Sequence, residues 1–342
     1  MPLLTIIIPT FNRSEYVSSS LVWIARSLET IRAKWGQSAP SVSIIVGDNC
    51  STDDTVEALK RFSCANYHWY SNSSNLGITK NILRAISLAD GEFIWILGDD
   101  DYCSCSLIEN ILMFLLCKNS QVDYLKLNYK QFVNIDEVAF DQSFDFSRVT
   151  LDEIVDNSNL LDLDLCFGFI SANVYNAKKL RCAIQYYEGE IGLEMNSYFN
   201  KLLTYTVLVT GDFLYSLNSL HLGQRVTNGS HFSDGIDTRV KVFIYDNCQV
   251  AKNVAKLSYP LYRRLNSIYC RMSWYDIYQI KMNKDFASTE IFNIFRAFGY
   301  RDSPYFIFMI IFPRGAVGAL ATVYWMAKRV LRAIGLIGGG AV

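Results

Sequence analysis

The chain has almost no net charge. Its 342 residues hold 32 Lys and Arg against 33 Asp and Glu, which gives a formal net charge of −1. Nucleic-acid-binding proteins usually have a basic excess or a basic stripe, so this balance argues against nucleic acid as a partner. Charged residues make up only 19% of the chain and hydrophobic residues 51%. This composition is typical of a globular protein with enough material for one large domain or two modest ones.

The chain also lacks a CxxC pair. Its nine cysteines are odd in number and irregularly spaced, so the sequence predicts neither a structural zinc site nor a disulfide framework. The N-terminal residues show no basic region and no signal-like apolar stretch. We therefore expect a cytoplasmic chain in which most cysteines are small buried hydrophobic residues.

Long hydrophobic runs are missing as well. Residues 305–312 and 315–327 are apolar, but a Pro-Arg pair separates them. Neither run has the roughly 18–20 residues that a membrane-spanning helix needs. Three basic residues follow, and apolar helices beside basic residues can lie in a membrane surface. We predict peripheral contact with the inner face of the cell membrane. The alternative is a helix packed on the protein or at an oligomer interface.

Short apolar runs alternate with segments of helical spacing over the first 130 residues. This alternation predicts βαβ units and a parallel sheet. Further along, the pattern predicts a strand near 123–133, an acidic loop at 134–164, a helix at 196–203 and a polar stretch at 220–231. The predicted strands of the first part are 3–9, 42–47, 67–70 and 92–97, and its helices 14–35, 77–89 and 102–117.

Polar clusters follow three of these strands, at residues 9–13, 48–54 and 99–101. Ligands collect at the carboxyl ends of strands in such sheets. Three adjacent carboxylates after a buried strand repel one another and need compensation. Magnesium or manganese provides it, because these ions bind one or two carboxylates together with phosphate oxygens. A solvated acidic turn or a helix cap is the alternative interpretation.

Four sequence blocks carry a family resemblance: IIIPTFNR at 6–13, VGDNCSTDDT at 46–55, NLG at 75–77 and GDDD at 98–101. Their order and spacing resemble the family 2 glycosyltransferases with a GT-A fold. The resemblance implies an α/β fold with a Rossmann-like mixed sheet flanked by helices. It implies a catalytic domain at 1–235, whose first half (1–115) binds the nucleotide sugar and whose second half (116–235) binds the acceptor. A helical region at 236–342 would follow.

The resemblance also implies roles for single residues. Asp101 is expected to be the main ligand of Mn²⁺ or Mg²⁺, with Asp99 as the second ligand. Asp100 is the alternative main ligand, because Gly98 stands where the family commonly has an aspartate. Asn49 and Cys50 also depart from the common form, which has a second acid and a glycine. The residues expected to contact the nucleotide sugar are Pro9, Thr10, Asn12, Arg13, Asp48 (through the base), Asn75, Gly77, Lys80, Asp99, Asp100 and Arg225.

Transfer to a hydroxyl needs a base, because a neutral alcohol is a weak nucleophile. By resemblance the base is Glu194, with Glu190 as second choice, although Met195 stands where a second acid is usual. Both glutamates can also be read as first-turn acids favoured by the helix dipole. Arg225, in the polar stretch with His221, would offset charge on the leaving group. Residues 168–171 would lie on the acceptor side.

The resemblance therefore implies an inverting, metal-dependent glycosyltransferase of bacterial surface polysaccharide synthesis, such as O-antigen or capsule. The donor would be a nucleotide-diphosphate sugar, with UDP favoured and CDP the alternative, and the acceptor a glycan or a lipid-linked glycan. A non-catalytic nucleotide-sugar-binding or scaffolding protein of the same fold is the second hypothesis. A nucleotidyltransferase is disfavoured, because residues 9–13 contain no glycine-rich phosphate loop. The sequence leaves the oligomeric state open.

Overall fold

The computed structural model describes residues 1–118, 121–132, 146–150, 152–153, 167–188, 199–225 and 247–269. The chain divides into two compact units, residues 1–230 with 253–261 and residues 231–252 with 262–342. The candidate site lies in the first unit.

The first half of the sheet is parallel, and its three inner strands are buried on both faces. β1 (Leu4–Thr10) lies between β2 (Val42–Asp48) and β4 (Phe93–Ile96), and β3 (Tyr67–Ser71) pairs with the other side of β2. Continuous β-branched runs suit such strands, because helices cover both faces of a parallel sheet. Residues 6–8, three consecutive isoleucines, are accordingly fully buried.

Four helices accompany these strands: α1 (Ser14–Trp35), α2 (Thr55–Arg61), α3 (Ile78–Leu88) and α4 (Cys105–Cys117). The predicted strands and helices of this half are confirmed, most of them to within two residues. The helix predicted at 102–117 begins later, because the Ser104 hydroxyl caps it by accepting from the Leu107 N–H at 3.1 Å. The residues before the cap form a short strand, β5 (Tyr102–Cys103).

The second half makes the sheet mixed. Its strands are β6 (Tyr124–Phe132), β7 (Phe146–Arg148), β8 (Asn173–Asn176) and β9 (Leu214–Arg225). The sheet order is β3-β2-β1-β4-β8-β6-β9-β5, with β7 also paired to β9. β8 runs antiparallel to β4 and β6, whereas β6 and β9 are parallel to each other. This mixed sheet flanked by helices is the predicted GT-A architecture.

One prediction in this half was wrong. The polar stretch predicted at 220–231 is strand up to residue 225, because β9 pairs with β6 and β5 along this length. Arg225 therefore lies at the end of a strand. Its position is fixed by sheet hydrogen bonds to its neighbours.

The remaining described helices are α5 (Ala177–Glu188), α6 (Phe199–Thr210), α7 (Asn247–Val254) and α8 (Tyr259–Tyr269). Within the described ranges, no helix is long and apolar enough to cross a membrane. The two apolar runs at 305–312 and 315–327 lie outside those ranges, as does most of the predicted acidic loop. The domain boundaries at 115, 235 and 236 stay predictions.

Candidate functional site

Asp99 is anchored by the two elements that begin the chain. The Thr10 hydroxyl, at the end of β1, donates to Asp99 Oδ2 at 2.7 Å, and Arg13 Nη1 donates to Oδ1 at 2.9 Å. The buried Ser20 hydroxyl on α1 donates to the Asp99 backbone carbonyl at 2.8 Å. The aspartate is only 4% exposed. These contacts fix both the side chain and the backbone of the first carboxylate.

Arg13 joins two of the three carboxylates. Its Nη1 also donates to Asp100 Oδ2 at 2.8 Å, so one guanidinium forms ion pairs with Asp99 and Asp100. The same guanidinium lies 5.7 Å from the centroid of the Tyr16 ring. Arg13 is positioned by the β1–α1 loop, where its N–H donates to the Thr55 hydroxyl at 3.1 Å.

Asp101 is held from the opposite side of the cluster. The Ser171 hydroxyl donates to Asp101 Oδ2, and the Arg225 backbone N–H donates to Oδ1 at 3.4 Å. Ser171 also accepts from the Gly98 N–H at 2.8 Å, so it ties the carboxylate back to the end of β4. Ser171 lies in the short 3-10 turn Ile170–Ala172 that precedes β8. Asp101 is 5% exposed.

The glycine at position 98 is required by this geometry. A Cβ built at Gly98 would lie 2.6 Å from Asp101 Oδ2, which is closer than Cβ atoms approach other heavy atoms in proteins. The aspartate that the common family form carries here would therefore displace the Asp101 carboxylate. In this chain the Asp101 carboxylate lies in the space that a side chain at position 98 would occupy, at the end of β4.

We expect Gly98→Ala to lower nucleotide affinity while the protein still folds. The added methyl group must push the Asp101 carboxylate off Ser171, and misplacing a supporting contact of a metal-ligand side chain costs about 10–100-fold in metal affinity. Manganese-dependent nucleotide binding, measured by calorimetry, checks this. Gly36→Ala is the control for a loss of stability alone, because it strains the backbone at φ of 59° but brings no atom within 4 Å of the new Cβ. Unchanged affinity in Gly98→Ala would show that the Asp101 position is not needed for binding.

Arg225 completes the cluster from β9. β5 and β9 are antiparallel, and Tyr102 pairs with Gly223, so the strand end meets the acidic turn. Arg225 Nε donates to the Asp100 carbonyl at 3.2 Å. Its guanidinium lies 4.9 Å from the Phe132 ring centroid and 5.5 Å from that of Tyr16. Cation–π contacts on two sides hold the group in one orientation.

Two of the three carboxylates, Asp99 and Asp101, have raised pKa values. Burial raises the pKa of Asp101 to about 7, with a further contribution from the Asp100 charge. Burial raises the pKa of Asp99 to about 6, although Arg13 and the Thr10 hydroxyl act in the opposite direction. Among the residues that the structure describes, no ion pair reaches Asp101, whereas Arg13 pairs with its two neighbours. Asp101 is thus a buried carboxylate that a cation would stabilise.

The residues present fit a hard divalent cation. Across the described part of the chain, no group of three or more His, Cys, Asp or Glu side chains is arranged to hold an ion. A site of one or two carboxylates completed by substrate phosphate oxygens, as Mg²⁺ and Mn²⁺ often use, does not need such a group. Arg13 pairs with Asp99 and Asp100 but not with Asp101, and the role of Asp101 as main ligand stays a prediction.

The loops after β1 and β2 are tied to each other. Asn12 adopts a left-handed backbone conformation, with φ of 53°, which asparagine tolerates better than most residues. Its N–H donates to the Ser51 hydroxyl at 2.8 Å, and its Oδ1 accepts from the Thr52 N–H at 2.7 Å. Pro9 is half-buried and pairs in register with Gly47. The two loops therefore form one continuous edge.

Asp48 supports this edge from below. It is fully buried, and its carboxylate accepts from the Ser71 hydroxyl at 2.6 Å and from the Ser51 N–H at 3.2 Å. In this structure the carboxylate shapes the loop and lies beneath its surface. Contact between Asp48 and a nucleotide base stays a prediction.

A network of side-chain amides, all buried except that of Asn75, joins the β2 loop to α3. Asn49 donates through Nδ2 to Asn75 Oδ1 at 2.7 Å and accepts at Oδ1 from the Leu76 N–H at 2.9 Å. Asn72 donates to Asn49 Oδ1 at 3.1 Å and to Asn81 Oδ1 at 2.9 Å. The network places Asn75 beside the carboxyl ends of β1 and β2.

The start of α3 belongs to the same region. The Gly77 N–H donates to Asn75 Oδ1 at 2.9 Å, and Gly77 precedes the helix with φ of 79°, a conformation that favours glycine. Lys80 lies on the first turn and is exposed. Tyr70 donates to the Asn81 carbonyl at 2.8 Å directly above Gly47, where a built Cβ would lie 2.5 Å from the Tyr70 hydroxyl oxygen.

A cavity of about 140 Å³ lies beside the carboxylates. Carboxylates, a guanidinium, hydroxyls and aromatic rings line this cavity. Such a lining suits a polar ligand with apolar faces. Its lining residues are Glu15, Tyr16, Ser19, Ser20, Trp23, Asp99, Asp100 and Arg225.

The structure thus brings most of the predicted site residues to one edge of the sheet. Glu190 and Glu194 lie outside the described residues, as does the side chain of His221. Sequence reasoning missed Ser20, Asn72 and Asn81, and it noted Ser171 without the role of holding Asp101. The sequence signal that could have identified these residues is a polar side chain at a position that the surrounding apolar pattern predicts to be buried. A buried polar side chain is rare unless it is hydrogen-bonded.

The mixed sheet and the acidic cluster after β4 define a GT-A fold. The family model described as glycosyl transferase family 2 matches residues 5–134. The predicted resemblance to the family 2 glycosyltransferases is thus confirmed over this part of the chain.

Two curated relatives match part of the chain. Abequosyltransferase RfbV of Salmonella typhimurium is 36% identical over 103 residues, which are 29% of this chain and 28% of that protein. Poly(ribitol-phosphate) β-N-acetylglucosaminyltransferase TarS of Staphylococcus aureus is 25% identical over 129 residues, which are 36% of this chain and 20% of that protein. The matches thus span less than a third of each relative.

Solved structures share the fold over a larger part of the chain. The crystal structure of S. aureus TarS 1–349 in complex with UDP-GlcNAc has a TM-score of 0.62 at 18% identity and covers 87% of this chain and 80% of that one. The mannosyltransferase PcManGT from Pyrobaculum calidifontis, in complex with GDP-Man and Mn²⁺, has a TM-score of 0.54 at 13% identity, with coverage of 96% and 81%. At such identities the likeness establishes the fold.

Proposed function

We propose that the chain is a glycosyltransferase that moves a sugar from a nucleotide-diphosphate sugar to a hydroxyl of a glycan or lipid-linked acceptor. UDP is the favoured nucleotide and CDP the alternative. The observation that carries the proposal is the cluster of three carboxylates after β4, held by Thr10 and Arg13 on one side and by Ser171 and Arg225 on the other. This cluster lies within the family 2 segment, at the sheet edge where ligands of such folds bind.

The names of the relatives support bacterial surface polysaccharide synthesis as the pathway. One is an abequosyltransferase, and another acts on poly(ribitol-phosphate). Peripheral contact with the inner face of the cell membrane through the C-terminal region is part of this proposal, because a lipid-linked acceptor would lie there. Flotation of the full chain with anionic vesicles tests it, and absence of the protein from the floated fraction would count against membrane contact.

The proposed reaction is a single displacement with inversion. The acceptor hydroxyl oxygen forms a bond to the anomeric carbon, and the bond from that carbon to the phosphate oxygen breaks on the opposite face. The electron pair leaves with the nucleoside diphosphate, and the hydroxyl proton passes to a base, Glu194 or Glu190. The Arg225 guanidinium, already oriented beside Asp100, stabilises negative charge on the departing diphosphate.

A bound Mn²⁺ or Mg²⁺ would neutralise the diphosphate as a Lewis acid, held by Asp101 and by Asp99. Arg13 offsets the repulsion between Asp99 and Asp100 by pairing with both carboxylates. The β1 and β2 loops, joined through Asn12, orient the nucleotide against this cluster.

Calorimetry with UDP, CDP, GDP and dTDP, each with Mn²⁺ and with EDTA, tests the proposal. We expect one nucleotide to bind tightly with the metal and much more weakly without it. Transfer from the corresponding nucleotide sugar should then follow, and Glu194→Gln or Glu190→Gln should abolish transfer while nucleotide binding persists. Binding without any transfer or donor hydrolysis would favour the scaffolding hypothesis. No binding under any condition would remove the proposed site.

A further inference from the structure

We propose that Asn49 is a positioning residue that fixes the Asn75 side-chain amide with its NH₂ group outward. The site would then select a nucleotide whose base presents a carbonyl oxygen at C4 of a pyrimidine or C6 of a purine. This inference rests on the proposed function, because it names the class of base at that same site.

The orientation of the Asn75 amide follows from its two donors. Asn49 Nδ2 donates to Asn75 Oδ1 at 2.7 Å, and the Gly77 N–H donates to the same oxygen at 2.9 Å. Two donors on one atom identify it as the oxygen, since an amide nitrogen cannot accept. The Asn75 Nδ2 is therefore on the other branch, directed away from Asn49 and Gly77. Within the part of the chain that the structure describes, this nitrogen meets no acceptor.

Asn49 is itself fixed by the buried network. It is 4% exposed, and its Oδ1 accepts from the Leu76 N–H at 2.9 Å and from Asn72 Nδ2 at 3.1 Å. Its backbone N–H donates to the Thr10 carbonyl at 3.0 Å, at the end of β1. With its oxygen engaged twice, the Asn49 amide has one orientation, in which Nδ2 faces Asn75. A continuous series of hydrogen bonds thus links the sheet, through Asn49, to the exposed Asn75 side chain.

Asn75 is the exposed member of this network, whereas the nearby Asp48 is fully buried and lies outside it. A base bound at the carboxyl ends of β1 and β2 would meet the Asn75 NH₂ under this proposal. An NH₂ group pairs with the carbonyl of uracil, thymine or guanine, whereas cytosine and adenine present an amino group at the equivalent position. When the Asn75 NH₂ faces the amino group of cytosine or adenine, neither donor has an acceptor. This arrangement disfavours those two bases.

Residue 49 therefore controls the orientation of residue 75. In Asn49→Asp an oxygen replaces Nδ2 and lies against Asn75 Oδ1, while the Gly77 N–H still donates to that same oxygen. The Asn75 amide is then expected to lose its single orientation, and the preference for a carbonyl base falls with it. The aspartate retains both acceptor contacts that Asn49 Oδ1 makes to Leu76 and Asn72.

The test compares the dissociation constants of UDP with CDP, and of GDP with ADP, by calorimetry with Mn²⁺. The wild type should favour the carbonyl base of the pair that it binds. Asn49→Asp should lower that preference by about tenfold or more, and Asn75→Ala should remove the part that depends on the amide. Asn81→Asp is the matched control, because it adds the same charge to the same network but contacts Gly47 and Tyr70.

The outcomes separate this inference from the proposed function. If the wild type binds no nucleotide, the proposed function fails and the inference fails with it. If the wild type favours the amino base, or if Asn75→Ala keeps the wild-type preference, the inference alone is overturned. An equal shift in Asn81→Asp would assign the effect to charge and would also overturn it. Should Asn49→Asp not fold in a thermal melt, the exposed Asn75→Ala variant decides.

Discussion

Asp101→Asn is expected to reduce sugar transfer by about 10²–10³-fold, the range observed when one preorganised electrostatic contact is removed from an active site. The substitution keeps the shape of the side chain and an oxygen that can accept from Ser171, so the fold should persist. What it removes is the negative charge that would bind the cation. The expected signature is loss of manganese-dependent nucleotide binding together with loss of transfer.

A second buried carboxylate provides the control for this variant. Asp123, which is 8% exposed, accepts from the Asp212 N–H at 2.8 Å and from the Phe213 N–H at 3.1 Å where β9 begins. Asp123→Asn should lower the melting temperature without changing the metal dependence of nucleotide binding. If Asp101→Asn transfers sugar at the wild-type rate, the carboxylate cluster is not the catalytic site.

Arg225→Ala is expected to lower kcat by about 100-fold with a much smaller effect on nucleotide affinity. The guanidinium is held by Phe132, by Tyr16 and by the Asp100 carbonyl, so it is oriented before substrate arrives. A preorganised charge contributes most where negative charge develops, which here is the departing diphosphate. Steady-state kinetics with saturating acceptor should place the loss in kcat.

Arg225→Lys separates charge from geometry. Lysine keeps the charge but cannot form the planar contacts of a guanidinium between two rings, so recovery should be partial. Arg148→Ala is the control, because Arg148 also lies over an aromatic ring, that of Phe213, but bonds the Asp212 carbonyl instead of the acidic turn. A loss confined to nucleotide affinity would assign Arg225 to ground-state binding.

The parallel half of the fold could be predicted because its signal is local. Strands that are covered on both faces consist of uninterrupted apolar residues, and residues 6–8 and 93–96 show this pattern directly. The polar clusters after these strands marked the sheet edge at which the site lies. The resemblance then supplied roles that no residue pattern contains.

The rest depended on contacts between distant parts of the chain. Ser171 and Arg225 lie 70 and 124 residues beyond Asp101. They reach it only because β8 pairs with β4 and β9 pairs with β5. Residues 220–225 were predicted as loop because their polar side chains hide a strand that is fixed by its neighbours. The burial of Asp48 was invisible for the same reason, since Ser71 belongs to another strand.

The contact between Gly47 and Tyr70 has an evolutionary consequence. The two residues are paired in register on β2 and β3, and no side chain fits at position 47 while the tyrosine hydroxyl spans to the Asn81 carbonyl on α3. A substitution at position 47 therefore becomes acceptable only after Tyr70 has been replaced by a smaller side chain. That replacement removes the hydrogen bond to the Asn81 carbonyl, so α3 needs a different contact with the sheet. Positions 47 and 70 are expected to diverge together among descendants of this sequence, with the tyrosine changing first.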